Sequence, residues 1–210
     1  MQASNRWHHD VYADFDHAKI DVQRVPRMGR KAVDSNSIFV DRLFIAEEDR
    51  IGEEGKGFSY ILHSLNPERI LIAVEAIGIG QDALRRATRD AKERVVFDRA
   101  IDQKQGIQHP LAKKWMYLEC AWLMATRAAE LHDMGSPCGA EANSSKFFGP
   151  RAGHGAAWKA VTTQGGFGCA KEYHVERLCR EAALTRLAPI TEQLFLSVIA
   201  EKVLEIPKSY

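Results

Sequence analysis

The sequence of 210 residues has no long hydrophobic run. Its most apolar stretch, residues 70–80, is broken by Glu75 and Gly78, far short of the roughly 20 apolar residues a membrane span needs. No transmembrane helix is expected. Residues 1–10 are polar and aromatic without an apolar core, so no signal peptide is read. Cysteine is scarce: Cys120, Cys138, Cys169 and Cys179 are widely spaced, a pattern that suits reduced thiols and not a disulfide framework. The expected location is intracellular, in the cytoplasm. Charge of one sign is also lacking. The 29 Lys and Arg nearly cancel 28 Asp and Glu, and no basic block appears, which argues against nucleic acid or an anionic membrane as the main partner.

Several catalytic signatures are missing. Residues 52–57 look like a phosphate-binding loop but lack Gly-Lys-Ser/Thr at the required spacing, and no Gly-x-Gly-x-x-Gly occurs. No Glu stands three residues before any of the eight His, which excludes the Glu-x-x-His pair of a di-iron bundle. His-Glu-x-x-His is absent too. Trp7-His8-His9-Asp10 offers ligand types, but adjacent side chains diverge in an extended chain, so no metal site is expected.

What is present is the composition of a packed globular chain: 45% hydrophobic and 27% charged residues exclude disorder and collagen-like classes. Up to Ile51 the sequence is turn-rich. Ile20-Asp21-Val22-Gln23-Arg24-Val25 alternates at period two and residues 37–45 do so loosely, which predicts two strands around a loop at residues 26–36. Such a pair is marginal alone, so it leans on the helical part or its sheet lies elsewhere. From residue 52 the periodicity is helical. The spacing predicts helices over residues 58–94, with a re-start at Asn66-Pro67, then 110–134, 140–163, and 175–183 followed by 190–204. On the second, Leu111, Trp115, Leu118, Trp122, Ala125, Ala129 and Leu131 form the expected apolar face. The expected fold is mainly α: a four-helix up-and-down bundle at residues 52–210, preceded by a short β remnant at residues 1–51.

Four features carry candidate chemistry. Glu68 lies among apolar neighbours, where desolvation would raise its pKa and suit a general base. Asn66-Pro67-Glu68 is also what helix capping selects, with Glu68 answering the helix dipole, and the residues alone favour that reading. Arg69 is an anion contact or a solvated charge. Arg94 and Phe97 could clamp a phosphate and stack on a base, or be a solvated Arg and a core Phe. The Gly165-Gly166-Phe167-Gly168 turn admits close approach of a ligand, or simply joins two helices.

Taken in order, these segments resemble the C-terminal part of the acyl-CoA dehydrogenase family. The likeness runs over about residues 20–210, through Val25-Pro26-Arg27-Met28-Gly29-Arg30, Ile51-Gly52-Glu53-Glu54-Gly55-Lys56-Gly57-Phe58, Asn66-Pro67-Glu68-Arg69 and Glu93-Arg94-Val95-Val96-Phe97. It continues through Gln105-Gly106-Ile107-Gln108, Gln164-Gly165-Gly166-Phe167-Gly168 and Arg180-Glu181-Ala182 to Glu205-Ile206-Pro207-Lys208-Ser209-Tyr210, a glycine-free version of the usual ending.

The resemblance implies an FAD enzyme that oxidises an acyl-CoA thioester to the trans-2-enoyl-CoA and passes electrons to an electron-transferring flavoprotein, as a homo-oligomer (dimer or tetramer). In much of the family the base is a Glu in the last helical segment. Here that stretch reads Ala188-Pro189-Ile190-Thr191, and a proline cannot be the base. A second branch, similar to the isovaleryl-CoA and long-chain enzymes, places its base where this sequence has Glu68. The resemblance therefore assigns catalysis to Glu68 and acyl-CoA contacts to Asn66 and Arg69. It assigns the FAD of a neighbouring subunit to Arg94, Phe97, Lys104 and Gln105, with Arg94 on the pyrophosphate. Thr162, Gly165 and Gly166 approach the same cofactor, and Thr191 and Gln193 match flavin contacts. Thr162 stands where Gln is common, and Asp98 where Gly usually follows the Phe. The family's N-terminal helical domain and most of its middle β-domain have no counterpart here, which implies a truncated member. The alternative expectation is a catalytically inert helical-bundle assembly module of the same ancestry.

Overall fold

In the computed structural model, which describes residues 9–209, the alternating run Ile20–Arg24 (β2) pairs antiparallel with Asn36–Val40 (β3), from Ile20 opposite Val40 to Arg24 opposite Asn36. The second strand is shorter than its alternation suggested. Arg42 has φ 48°, which turns the chain out of the extended conformation. Two-residue strands Asp10–Val11 (β1) and Arg50–Ile51 (β4) form a second antiparallel pair. β3 is exposed along its whole length, leaving Ile38, Phe39 and Val40 uncovered.

The described residues fall into two compact units that part between Leu65 and Asn66. The helix Gly57–Glu93 (α1) runs without a break through that point, so the re-start at Asn66-Pro67 does not occur. Pro67 sits inside the helix, at the cost of one backbone hydrogen bond. A two-residue hairpin follows, Val95–Val96 (β5) with Arg99–Ala100 (β6). Then come Gln105–Asp133 (α2), Gly139–Gln164 (α3), Val175–Thr185 (α4) and Glu192–Lys202 (α5). α2 starts five residues before Pro110. Pro110 is the sixth residue of α2, past the four donors a helix start leaves unpaired, so it costs one backbone hydrogen bond.

The core of the larger unit is built from small residues. Ile77, Ala83, Leu84 and Ala87 of α1 meet Leu111, Leu118, Ala121 and Ala125 of α2, Ala152, Ala156, Ala157 and Ala160 of α3, and Val175, Leu178 and Ala182 of α4. α1 and α3 touch almost backbone to backbone. A Cβ on Gly80 would stand 2.7 Å from the Gly153 Cα, and one on Gly153 would overlap the Ala76 carbonyl oxygen. This closeness corrects the expected face of α2. Leu111, Leu118, Ala121, Ala125 and Ala128 point inward, while Trp115 and Trp122 are exposed, because an alanine-lined seam has no room for indoles. Among the described residues no helix is long and apolar enough to cross a membrane.

Candidate functional site

Glu68 stands about three turns inside α1, so the alternative that it merely caps a helix start does not hold. Nor is it desolvated. Glu68 is exposed on this chain, because the apolar residues beside it in sequence project to other faces of the helix. Its neighbour Arg69 is 7% exposed and donates from Nη1 to the Asn66 Oδ1 at 2.8 Å, one helical turn back. Burial holds the Arg69 guanidinium below its ordinary value, against the favourable charge of Glu68. The Arg69 Nε has no partner among the described residues. The structure thus brings Asn66, Glu68 and Arg69 together on one turn: a solvated carboxylate beside a buried cation with an unused donor.

On the same side of the bundle lies a set of charged groups that the sequence reading missed. Lys146 of α3 is 1% exposed, and its Nζ donates to the Thr185 carbonyl oxygen at 2.7 Å. Glu192, the first residue of α5, accepts from Arg151 at 2.7 Å and from Arg186 at 2.9 Å. Burial pushes the Glu192 carboxyl up, but the bonds from Arg186 and Arg151 outweigh it and leave the group below the usual carboxylate range. One signal for Lys146 was present in the sequence. It falls at helical spacing with Ala142, Gly149 and Gly153, on the small-residue stripe that becomes the buried face of α3. Thr191 and Gln193 flank Glu192 and are both exposed; Thr191 is the N-cap residue of α5, without a side-chain capping bond.

A second cluster forms where the β5–β6 hairpin and the end of α3 meet. Arg94 donates from Nη1 to the Gln164 carbonyl oxygen at 2.9 Å, and its guanidinium lies 6.0 Å from the Phe167 ring. Phe167 stacks on Tyr173 with centroids 5.1 Å apart. Gly165 ends α3 at φ 63°, ψ −131°, a conformation open to glycine, and a side chain there would approach the Arg94 Nη1. Phe97 and Asp98 make the hairpin turn with φ of 54° and 59°. Both central residues with positive φ are what a tight two-residue hairpin turn requires, so the departure from Gly at Asp98 preserves the turn. Phe97 is held outward at its tip, 88% exposed, with the Lys104 Nζ 5.1 Å from the ring. Gln105 opens α2 and is exposed. Thr162 is exposed, and its hydroxyl is bonded back to the Lys159 carbonyl at 3.0 Å.

Gln164 is a further residue that sequence reasoning passed over. It is 3% exposed, and its Oε1 has no partner among the described residues. Of the candidate metal ligands, His8 lies outside the described residues, as does Trp7, and the His9 Nδ1 accepts from the Gly55 N–H at 3.2 Å. Among the described residues no group of three or more His, Cys, Asp or Glu could hold a metal ion.

A family model for the acyl-CoA dehydrogenase C-terminal domain matches residues 55–204. The chain belongs to the acyl-CoA dehydrogenase family. An acyl-CoA dehydrogenase of Mycobacterium tuberculosis is 37% identical over 175 residues, which make up 82% of this chain and 45% of that protein. An acyl-CoA dehydrogenase of Bacillus subtilis is 36% identical over 178 residues, 85% of this chain and 47% of the relative. The chain therefore spans about half the length of the curated relatives it matches. Among solved structures, butyryl-CoA dehydrogenase from Megasphaera elsdenii superposes with a TM-score of 0.90 at 26% identity, covering 97% of this chain and 54% of that one. In the terms of the acyl-CoA dehydrogenase family, the bundle is the C-terminal helical domain.

Proposed function

We propose that this chain supplies the base and part of the cofactor contacts for FAD-dependent α,β-dehydrogenation of an acyl-CoA thioester to the trans-2-enoyl-CoA. The observation that carries the reading is the Asn66–Glu68–Arg69 turn. It holds a carboxylate open to an incoming ligand, with a buried, incompletely satisfied guanidinium next to it, at mid-helix where capping gives no reason for either. Glu68 removes the α-proton of the thioester as general base. Enclosure by substrate and by the rest of the parent protein would desolvate the exposed carboxylate and raise its basicity. Arg69 and Asn66 hold the acyl-CoA near the base.

The residues present fit an FAD. Arg94 has donors beyond the one it gives to Gln164, Gly166 has open space around it, and the Gln164 Oε1 awaits a donor. When bound, the flavin supplies the hydride acceptor for the β-carbon. Arg94, Phe97, Lys104 and Gln105 with Thr162, Gly165 and Gly166 would hold one FAD at one end of the bundle, and Thr191 and Gln193 would touch a different FAD at the other. Glu68 and Arg94 are separated by about 39 Å along α1, far beyond the reach of one active site. That span supports assigning the Arg94 group to the cofactor of a neighbouring copy, in a dimer or tetramer. In this reading residues 1–51 belong to the middle β-domain and 52–210 to the helical bundle, the enzyme is intracellular, and an electron-transferring flavoprotein accepts the electrons.

The test is anaerobic addition of acyl-CoAs of several lengths to the FAD-loaded protein, with Glu68→Gln alongside. Bleaching of the flavin band by the wild type, lost in Glu68→Gln with flavin retained, is the expected result; flavin lost together with activity would make Glu68 structural. The exposure of Glu68 favours one second reading for the chain by itself, a catalytically inert bundle that serves in assembly. Failure of the wild type to retain FAD would select it.

A further inference from the structure

α4 ends at Thr185, and the last carbonyls of a helix have no partner within it. Lys146 satisfies one of them from α3, donating to the Thr185 oxygen at 2.7 Å. Among the described residues it is the largest fully buried side chain. A buried ammonium is costly unless its surroundings answer the charge. Here three other helices do so. The C-terminus of α4 presents the negative end of its dipole, and the Phe195 ring of α5 lies 5.2 Å from Nζ. Glu192 of α5 and Glu68 of α1 favour the charged form, while Arg69 opposes it. Burial outweighs all of these and brings the group down to about 8.

The surrounding contacts pin the α4–α5 connection at both ends. Lys146 holds the end of α4, and Arg151 and Arg186 hold Glu192 where α5 begins. Thr191 and Gln193 are the chain neighbours of Glu192 on either side. The charged groups that act on Lys146 are Glu192 from α5 and Glu68 and Arg69 from α1, and Arg151 and Arg186 are bonded to that Glu192.

We propose that Lys146 is a positioning residue, whose buried ammonium holds the end of α4, and with it the α4–α5 connection that leads to Thr191 and Gln193, against α3 and α5. The proposal rests on the reading of Thr191 and Gln193 as flavin contacts only for the name of what is positioned; the tie itself is a property of the folded chain.

The experiment is an NMR titration of the full chain, following the Lys146 Cε and the backbone amides of Thr191 and Gln193. In the wild type, Lys146 titrates near 8, and both amides show a step at the same midpoint. In Lys146→Met the step at Thr191 and Gln193 disappears. A lysine that only fills space would leave those amides without a step, and that result overturns the proposal. Should Lys146→Met fail to fold, the wild-type titration decides alone. None of these readouts involves flavin or substrate, so a failed dehydrogenation assay and a failed titration are separate results.

Discussion

Arg94 and Gln164, 70 positions apart, are joined by a hydrogen bond of 2.9 Å from the guanidinium to a backbone carbonyl at the last residue of α3. The bond fixes the end of α3 to the start of the β5–β6 hairpin. It orients the positive-φ turn at Gly165 and leaves the other guanidinium donors for a ligand.

Arg94→Ala is expected to cost about 1–3 kcal/mol of stability, the penalty for leaving a buried carbonyl unpaired, read by urea denaturation. On the proposed reading of Arg94 as a cofactor contact, the same variant is expected to weaken flavin retention by the FAD-loaded protein at least about tenfold, in line with loss of a charge-assisted contact to phosphate. Unchanged flavin affinity would remove Arg94 from the cofactor site.

Gly153→Ala should destabilise the bundle without touching either cluster. Its Cβ would overlap the Ala76 carbonyl oxygen, so α1 and α3 must move apart. Overpacking of this kind costs about 1–3 kcal/mol, visible as a lowered Tm. A Tm equal to that of the wild type would show that the seam is looser than described.

Glu192 makes stability depend on acid. Its folded value is below the ordinary carboxylate value of 4.5, because the Arg186 and Arg151 bonds outweigh burial, so the unfolded chain takes up the proton first as pH falls. The contribution is fully present above that ordinary value and is lost as pH falls through the folded one. Glu192→Gln should be less stable than the wild type at neutral pH, with the gap closing in acid. A constant gap from neutral pH down to acid unfolding would contradict the assignment.

Lys146 acts with the same sign in the alkaline range. Its folded value of about 8 lies below the ordinary 10.5, so between the two the unfolded chain binds more protons and stability rises with pH. The rise is about 3 kcal/mol in the wild type and absent in Lys146→Met. Denaturation midpoints of the two proteins across alkaline pH check it, and parallel curves would refute it.

The helices were legible because their periodicity is long and their ends are punctuated. α3 was expected over residues 140–163 and spans Gly139–Gln164, stopped by a glycine at positive φ. The candidate residues around Asn66 and around Arg94 are legible only through the resemblance, since the residues alone favour capping and surface charge. Trp115 and Trp122 were misassigned because spacing marks a stripe but not how wide a seam it faces. Pro67 and Pro110 were read as helix starts because proline's local preference is strong, whereas packing of the surrounding turns overrides the loss of one bond. Lys146 and the Glu192 clamp were not read at all. Thr185 lies 39 positions from Lys146 and Arg151 lies 41 from Glu192, and nothing local to a lysine announces a distant carbonyl.

The sequence by itself determined the helical class, the order of the helices and the family. These follow from hydrophobic period, from glycine and proline at the turns, and from motifs in a fixed order, all of which act over a few residues. Only the tertiary structure decided that Glu68 stands exposed beside a buried Arg69, that Arg94 is held to the end of α3, and that a buried ammonium joins α3, α4 and α5. Burial and charge are properties of what surrounds a group, and those surroundings exist only once distant segments have packed.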